Sequence, residues 1–322
     1  MSAAKNNTAT ATTATAEGAC LSAASAPRGY IGRFAPSPTG DLHLGSLFTA
    51  VASYLDARTH RGQWLLRVED LDRPREVPGA TARILDTLAA FGFEWPEPVL
   101  YQSARIEIYQ DVINDLDKKN LIYRCRCSRR DLIDEERYPG TCRERHWDSG
   151  PPAALRLRVE PGTVEFTDAI QGRFRQDVAL AIGDFIVQRR DKIIAYCLAV
   201  VIDDAAQGVT HVVRGADLLD NTPRQIHLQR ILGLPTPQYA HVPVLVEADG
   251  AKLAKSRRSI AVQAHGAARQ LCEVFALLGL GPPAALRTAN VAEAWSWALE
   301  RWDSRRLARH LSIALAGLPD LP

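Results

Sequence analysis

Residues 29 to 59 restrict this chain most, because there a short apolar run passes through a proline- and glycine-rich loop straight into a helix. Gly29-Tyr30-Ile31-Gly32-Arg33-Phe34-Ala35 reads as a buried strand. Pro36-Ser37-Pro38-Thr39-Gly40-Asp41 follows as a loop, punctuated by proline and glycine. Leu44, Phe48, Val51 and Leu55 then recur at 4, 3 and 4, which marks one apolar helix face. A strand that delivers a loop to a helix N-terminus gathers unpaired N–H groups and the positive end of the helix dipole. Such a place favours an anion, phosphate above all. Gly40 and Gly45 let the backbone approach closely. His43 can donate a hydrogen bond to a phosphate oxygen, and Ser46 stands in the same first turn.

The pattern then repeats. Trp64-Leu65-Leu66-Arg67-Val68-Glu69-Asp70 reads as a second strand, acidic at its end, and residues 81–93 as an amphipathic helix closed at Gly92. Strand, helix, strand, helix predicts an α/β fold with a parallel sheet and helical crossovers. Residues 184–189 and 192–196 read as a hairpin around Arg190-Asp191. Residues 210–215 and 241–246 read as further strands, with a helix from Asn221 to Gly233 between them. After about residue 260 two helical stretches follow, separated by Pro282-Pro283. Trp295, Trp297 and Trp302 there read as core or docking aromatics.

A second basic element lies far along the chain, in Lys252-Leu253-Ala254-Lys255-Ser256. Two ammonium groups three residues apart suit a triphosphate whose charge moves onto departing pyrophosphate. Taken alone, the pattern is an ordinary basic turn.

Together these segments resemble a known family. Arg33 to Ser46 is similar to the RFAPSPTGxLHxG segment of class I glutamyl-tRNA synthetases, which contains their HIGH signature, and Lys252 to Ser256 is similar to their KMSKS signature. Asp184 to Asp217 also matches, and the resemblance spans residues 29 to 260. Ala35-Pro36-Ser37-Pro38 follows the glutamate enzymes; the glutamine enzymes of the class read Pro-Pro-Glu-Pro. Only 66 residues follow Ser256 (322 − 256), too few for the helical anticodon-binding domain of the full-length bacterial enzymes. The chain therefore resembles their shortened paralogues, the glutamyl-Q tRNA(Asp) synthetases. The resemblance implies a Rossmann-like catalytic domain with a zinc-binding insertion, a short helical C-terminal part and no anticodon-binding domain. The expected division is a disordered tail at 1–28 and the first half of the nucleotide-binding domain at 29–104. An inserted acceptor-end-like subdomain with the zinc site follows at 105–183. The second half takes 184–260 and a helical segment 261–322.

A glutamate substrate carries two carboxylates and an ammonium, so its pocket needs guanidinium and carboxylate. Arg33 and Arg214 can meet the acids, since arginine binds carboxylate bidentately. Glu69 can take the ammonium, or else pair with Arg67 or Arg73, and Tyr196 offers a hydroxyl. The resemblance implies that Arg33, Phe34, Ala35, Pro36, Ser37, Glu69, Tyr196 and Arg214 bind L-glutamate. It also implies that Gly40, His43, Gly45, Ser46 and Lys255 hold ATP, with His43, Lys252 and Lys255 as the catalytic set. Mg²⁺ is expected with the ATP. Three positions depart from the family pattern. Ala205 stands where His follows Asp-Asp, Cys197 where Asn is common, and Ala254 where Ser is usual.

Cys125, Cys127 and Cys142 place three soft ligands within 18 residues, and zinc asks for a fourth. Tyr138, His146 and nearby acids are within reach, and ligand chemistry alone favours His146. The paralogues read Cys-x-Cys followed by Tyr-x-x-x-Cys, so the resemblance implies one structural Zn²⁺ on Cys125, Cys127, Tyr138 and Cys142. Arg124 to Arg145 holds seven arginines and five acids, a composition suited to RNA phosphate.

Composition sets the outer limits. Thirty-nine basic against 37 acidic side chains give a net charge of +2, which excludes a strongly basic nucleic-acid coat but allows a local basic groove. No apolar stretch reaches the length of a membrane span. Residues 1–28 are rich in Ala, Thr and Ser, and read as a tail without the apolar core of a signal peptide. Clustered thiols imply a reducing compartment, so a cytoplasmic monomer is expected. The implied partners are L-glutamate and tRNA(Asp) bearing queuosine, and no membrane. The competing expectations are a truncated synthetase that charges a tRNA acceptor end, a non-catalytic RNA-binding descendant, and an unrelated nucleotidyltransferase of the same superfamily.

Overall fold

The computed structural model describes residues 29–145, 147, 150–247, 262, 265–307 and 309–315. The expected tail at 1–28, Lys252, Lys255, Ala254 and His146 lie outside them.

Strand β1 (Ile31–Phe34), helix α1 (Leu44–Thr59), strand β2 (Gln63–Val68), helix α2 (Ala80–Ala90) and strand β3 (Leu100–Tyr101) follow in the predicted order. β1 pairs in parallel with β2, and β2 with β3. Helix α3 (Ile106–Lys118) then leads into β4 (Ile122–Cys125), β5 (Ala154–Leu157) and the hairpin β6 (Thr163–Asp168) and β7 (Gly172–Asp177). After the short α4 (Val178–Ala181) come β8 (Ile186–Gln188), α5 (Tyr196–Ala206), β9 (His211–Gly215), α6 (Thr222–Leu232), β10 (Gln238–Val242) and β11 (Val244–Val246). Helices α7 (Ala267–Leu277) and α8 (Val291–Leu299) and strand β12 (Ser312–Ala314) complete the described elements.

Three parallel strands on each side meet in the middle. The N–H of Thr210, just before β9, donates to the Ile31 carbonyl at 2.9 Å, and Thr210 Oγ1 accepts from Ile31 N at 2.8 Å. β9 therefore lies beside β1. Beyond it, β10 pairs in parallel with both β9 and β6, and β7 closes that edge antiparallel. The crevice of such a doubly wound sheet opens beyond the C-terminal ends of its strands, where the order reverses. Here that is the end of β1 next to the end of β9.

The insertion has its own antiparallel sheet, β4-β5-β8. The β6–β7 hairpin, although it falls within 105–183, extends the sheet of β9 and β10, while β8 joins β5.

α1 shows why the fold is tight around the loop. Its predicted face (Leu44, Phe48, Val51, Leu55) is buried, and so are Leu47, Ala50, Ala52 and Ala57 on its other sides. The sheet covers one flank and α7 and α8 cover the other. Burial of each large apolar side chain contributes about 1.5–3 kcal/mol, so α1 is a rigid mount. Trp295 is core, as expected, with its indole N–H donating to the Phe91 carbonyl at 2.8 Å; Trp297 and Trp302 pack on the same cluster.

Two sequence expectations change in detail. Residues 241–246 form two strands, broken at Pro243, because proline lacks the N–H that one continuous ladder needs. β11 then leaves the main sheet and pairs with β12. The second hairpin arm at 192–196 returns along β8 as expected, with Arg189 N–H donating to the Ile193 carbonyl at 2.8 Å and Ala195 N–H to the Val187 carbonyl at 3.0 Å, but it is short, with one bridge from Gln188 to Ile194 before Tyr196 opens α5.

Candidate active site

A cavity of about 840 Å³ sits at the crevice between β1 and β9. Arg33, Phe34, Ala35, Pro36, Ser37, Glu69, Tyr196 and Arg214 all line it, together with His43, Gly45 and Ser46. Gly40 is in the same loop but not in the cavity wall. Residues 180 positions apart in the chain meet there because β1, β2 and β9 end side by side.

His43 caps α1. Its Nδ1 accepts from the Ser46 N–H at 3.2 Å, and its Nε2 lies 3.0 Å from Ser46 Oγ. Acceptance at Nδ1 puts the ring proton on Nε2, which faces Ser46 Oγ here and donates to a phosphate oxygen when that oxygen displaces the hydroxyl. Gly45 is what allows this ring position, since a Cβ there would lie 3.3 Å from two atoms of the His43 ring. The first turn of α1 carries no acidic side chain to compete with an anion.

The acidic-substrate end is built on buried charge. Arg33 is 4% exposed, and its Nε donates to Asp204 Oδ1 at 3.2 Å. Arg67, wholly buried, donates to the same oxygen at 2.6 Å and to Gln207 Oε1 at 2.7 Å. Burial works against an ionised Asp204, but Arg33 and Arg67 overcome it and hold its pKa below the ordinary value. Arg67 is thereby taken up, and Glu69 makes no side-chain hydrogen bond among the described residues. Burial pushes the Glu69 carboxyl up to about 7, against the pull of Arg67 and Arg33. A half-buried carboxylate that faces a cavity without a partner is suited to an ammonium group.

Opposite stands Arg214, 4% exposed. Its Nε donates to His241 Nε2 at 3.0 Å, its Nη2 to Thr222 Oγ1 at 2.9 Å, and its Nη1 reaches Tyr196 Oη at 3.4 Å. His241 in turn holds Asp168 Oδ2 at 2.6 Å from Nδ1. Sequence reasoning names Arg33, Glu69, Tyr196 and Arg214, offers Arg67 only as an ion-pair partner of Glu69, and passes over the other groups behind them: Asp204, His241, Asp168 and Thr222. The only signal for Asp204 is an acid pair in the last turn of an otherwise largely apolar helix, Tyr196 to Ala206. Asp203, its neighbour, accepts from Gln102, Arg105 and Tyr109 and ties α5 to α3. Asp72, Arg75 and Arg189, at the far side of the cavity, were not named either. Arg189 donates to Asp72 at 3.0 Å.

The three thiols of the insertion also come together. Cys125, Cys127 and Cys142 place their sulfurs within 4.8 Å of one another. Cys127 and Cys142 are 3.6 Å apart, against the sulfur–sulfur edge of about 3.8 Å that a tetrahedron with Zn–S bonds of about 2.3 Å requires. The Tyr138 hydroxyl lies 3.3 Å from Cys125 Sγ and 3.8 Å from Cys127 Sγ, and accepts from the Cys142 N–H at 2.9 Å. Three thiols and a phenol thus form a four-donor set of the right size. Burial and the bond to Cys142 push the Cys127 thiol up to about 11, so binding of a cation there displaces protons. The donor set predicts one zinc ion in the parent chain and none in Cys127→Ser, with faster hydrogen exchange over residues 122–145 in the variant. Unchanged metal content by atomic absorption would refute the site.

Among the described residues no helix is long and apolar enough to cross a membrane. Residues 31–288 match the family described as tRNA synthetases class I (E and Q), catalytic domain. A glutamyl-Q tRNA(Asp) synthetase of Pseudomonas aeruginosa is 51% identical over 284 residues, 87% of this chain and 96% of the relative. That of Ectopseudomonas mendocina is 52% identical over 291 residues, covering 90% and 98%. The glutamate tRNA ligase of Elizabethkingia meningosepticum, solved in complex with its amino acid, superposes with a TM-score of 0.72 at 23% identity, over 90% of this chain and 67% of that one. It shares the fold.

Proposed function

The chain belongs to the catalytic-domain family of the class I tRNA synthetases for glutamate and glutamine, and from that premise we propose that it activates L-glutamate with ATP and transfers it to the queuosine base of tRNA(Asp). The observation that carries this reading is the single cavity in which Arg33, Arg214 and Glu69 stand beside His43 at the α1 N-terminus. Two guanidiniums and one carboxylate complement two carboxylates and one ammonium.

In the first step an oxygen of the glutamate α-carboxylate attacks the α-phosphorus of ATP. A new P–O bond forms, the bond to the β-phosphate bridge breaks, and pyrophosphate leaves with its electron pair. Mg²⁺ accompanies the ATP and spreads phosphate charge when bound. The chain supplies position and charge rather than a nucleophile. His43 Nε2–H and the first-turn amides of α1 take phosphate oxygens, while Arg33, Arg214, Tyr196 and Glu69 fix the amino acid. To Lys255, with Lys252 helping, we assign the charge that develops on pyrophosphate. In the second step a hydroxyl of the queuosine cyclopentene attacks the glutamyl carbonyl, an ester forms, and AMP leaves. The insertion, with Cys125, Cys127, Tyr138 and Cys142 around a structural zinc, presents arginines to the RNA backbone.

The test is glutamate-dependent exchange of pyrophosphate into ATP without tRNA, followed by glutamylation of tRNA(Asp) with and without queuosine. Exchange followed by queuosine-dependent labelling is expected. Labelling of tRNA(Glu) at its 3′ end would favour acceptor-end charging, and no exchange at all would favour a non-catalytic RNA-binding role. Lys255→Ala is expected to slow exchange by about two to three orders of magnitude, the scale on which loss of a group that stabilises developing charge acts. A rate within a few-fold of the parent would remove Lys255 from the mechanism.

A further inference from the structure

We infer that His241, oriented by Asp168, is a positioning residue for glutamate: it aims the Arg214 guanidinium into the substrate cavity by accepting its Nε–H. The inference rests on the reading of Arg214 as a glutamate ligand and adds what holds it there.

His241 is wholly buried at the end of β10, and Asp168 is 1% exposed at the end of β6. β10 pairs with β6 on one side and β9 on the other, so the histidine bridges the acid and Arg214 across three adjacent strands. The atoms fix its protonation. Arg214 has donors only, so His241 Nε2, at 3.0 Å from Arg214 Nε, must be the lone-pair nitrogen. The ring proton therefore sits on Nδ1 and goes to Asp168 Oδ2 at 2.6 Å. Asp168 is itself immobile, because its Oδ1 accepts from the backbone N–H groups of Ile170, Gln171 and His241. Burial disfavours the imidazolium, which keeps the acceptor available.

A guanidinium has five N–H bonds. His241 takes Nε–H, Thr222 takes one on Nη2, and Tyr196 takes one on Nη1. Among the described residues two are left without a hydrogen-bond acceptor, one on each terminal nitrogen, and Arg214 lines the cavity. With its inner edge held on two sides, the arginine presents a fixed outer edge and loses little rotamer freedom when a carboxylate arrives. The same Asp168–His241 contact also clasps the β6–β7 hairpin to β10, so a purely structural role needs separate exclusion.

Two substitutions separate the roles because they keep opposite halves of the imidazole. His241→Gln places an amide where Nε2 stood and retains an acceptor for Arg214, but gives up the Asp168 bond. His241→Asn places its amide near Nδ1, keeps Asp168 and abandons Arg214. In pyrophosphate exchange, Asn is expected to raise the glutamate KM about ten- to a hundredfold, the cost of a buried charged donor left unmatched, with the ATP KM nearly unchanged. Gln is expected to stay within a few-fold of the parent. The reverse order, or equal shifts in both KM values, would overturn the inference in favour of a hairpin clasp.

If both variants misfold, Thr222→Val keeps the volume and removes the hydroxyl that accepts from Arg214 Nη2 at 2.9 Å and lies 3.2 Å from His241 Nε2, so it loosens the same hold on the guanidinium from both sides. It is expected to raise the glutamate KM alone by about threefold or more, and an unchanged value would overturn the inference. Long-range ¹H–¹⁵N correlation of the parent protein at neutral pH reads the tautomer directly, with Nε2 expected unprotonated. A proton found on Nε2 rules out the relay whatever the enzyme does. Absence of exchange in the parent would count against the proposed function, and leave the tautomer to decide the relay.

Discussion

Glu69→Gln is expected to lower kcat/KM for glutamate by about a hundred- to a thousandfold, the penalty for leaving a substrate charge unpaired in a desolvated site, while the ATP KM stays put. The substitution keeps shape and removes charge. The neighbouring buried acid, Asp204, is already committed to Arg33 and Arg67, so it does not replace the lost carboxylate contact with the ammonium. A variant with near-parental exchange would take Glu69 out of the binding set.

The same residue predicts a pH profile. Burial holds the Glu69 carboxyl at about 7 in the free protein, so it is protonated below that and charged above. kcat/KM for glutamate, which reports the free enzyme, is expected to fall about tenfold per pH unit below 7. An ammonium at the carboxylate favours the charged form, so glutamate binding below pH 7 releases a proton, visible by calorimetry in buffers of different ionisation heat. Stability runs the other way. The folded pKa lies above the unfolded one, so Glu69 adds most to stability below the ordinary carboxyl pKa of 4.5, and that contribution is lost as pH rises through 7. Without substrate, Glu69→Gln should therefore melt higher than the parent at pH 8.

What the sequence made legible follows from how the site is built. The loop from Arg33 to Ser46 is contiguous, and its turn chemistry and helix period are local properties, so strand, loop and cap were readable from residue order. Arg214, Glu69 and Tyr196 lie at strand ends or a helix start, where the chemistry of a doubly acidic substrate picks them out. The groups behind them carry no such signal. His241 looks like one polar residue in an apolar strand, and only the β9-β10-β6 order brings it between Arg214 and Asp168. The Pro243 break was missed for a related reason: apolar residues continue across it, while the hydrogen-bond ladder does not. For the fourth metal ligand the residue order offers Tyr138 and His146 alike; the resemblance implies Tyr138, whose hydroxyl lies 3.3 Å from Cys125 Sγ and 3.8 Å from Cys127 Sγ, while His146 is outside the described residues.

Asp204 shows most sharply how a residue outside the cavity can govern it, and Asp204→Ala is expected to destabilise the fold by about 3–5 kcal/mol, as when one partner of a buried ion pair is removed. One carboxylate oxygen serves two guanidiniums, from Arg33 at 3.2 Å and Arg67 at 2.6 Å. Arg67 lies one residue from the C-terminal end of β2 with no exposed surface, so it cannot turn to water when its acceptor goes. Its Nη1 keeps Gln207, a neutral acceptor that does not balance the charge. Arg33, released from behind, loses the hold that points it at the substrate, so the glutamate KM should rise along with the loss of stability. Because the native pKa of Asp204 is held low by the two arginines, its contribution is present at neutral pH and fades as acid protonates it. The gap between parent and Asp204→Ala in denaturant midpoint should accordingly narrow towards acid pH. Asp204→Asn, which keeps an acceptor but no charge, should fall between the two. A loss below about 1 kcal/mol for Asp204→Ala would place this pair with exposed salt bridges, and would mean that Arg33 is aimed by the β1 backbone alone.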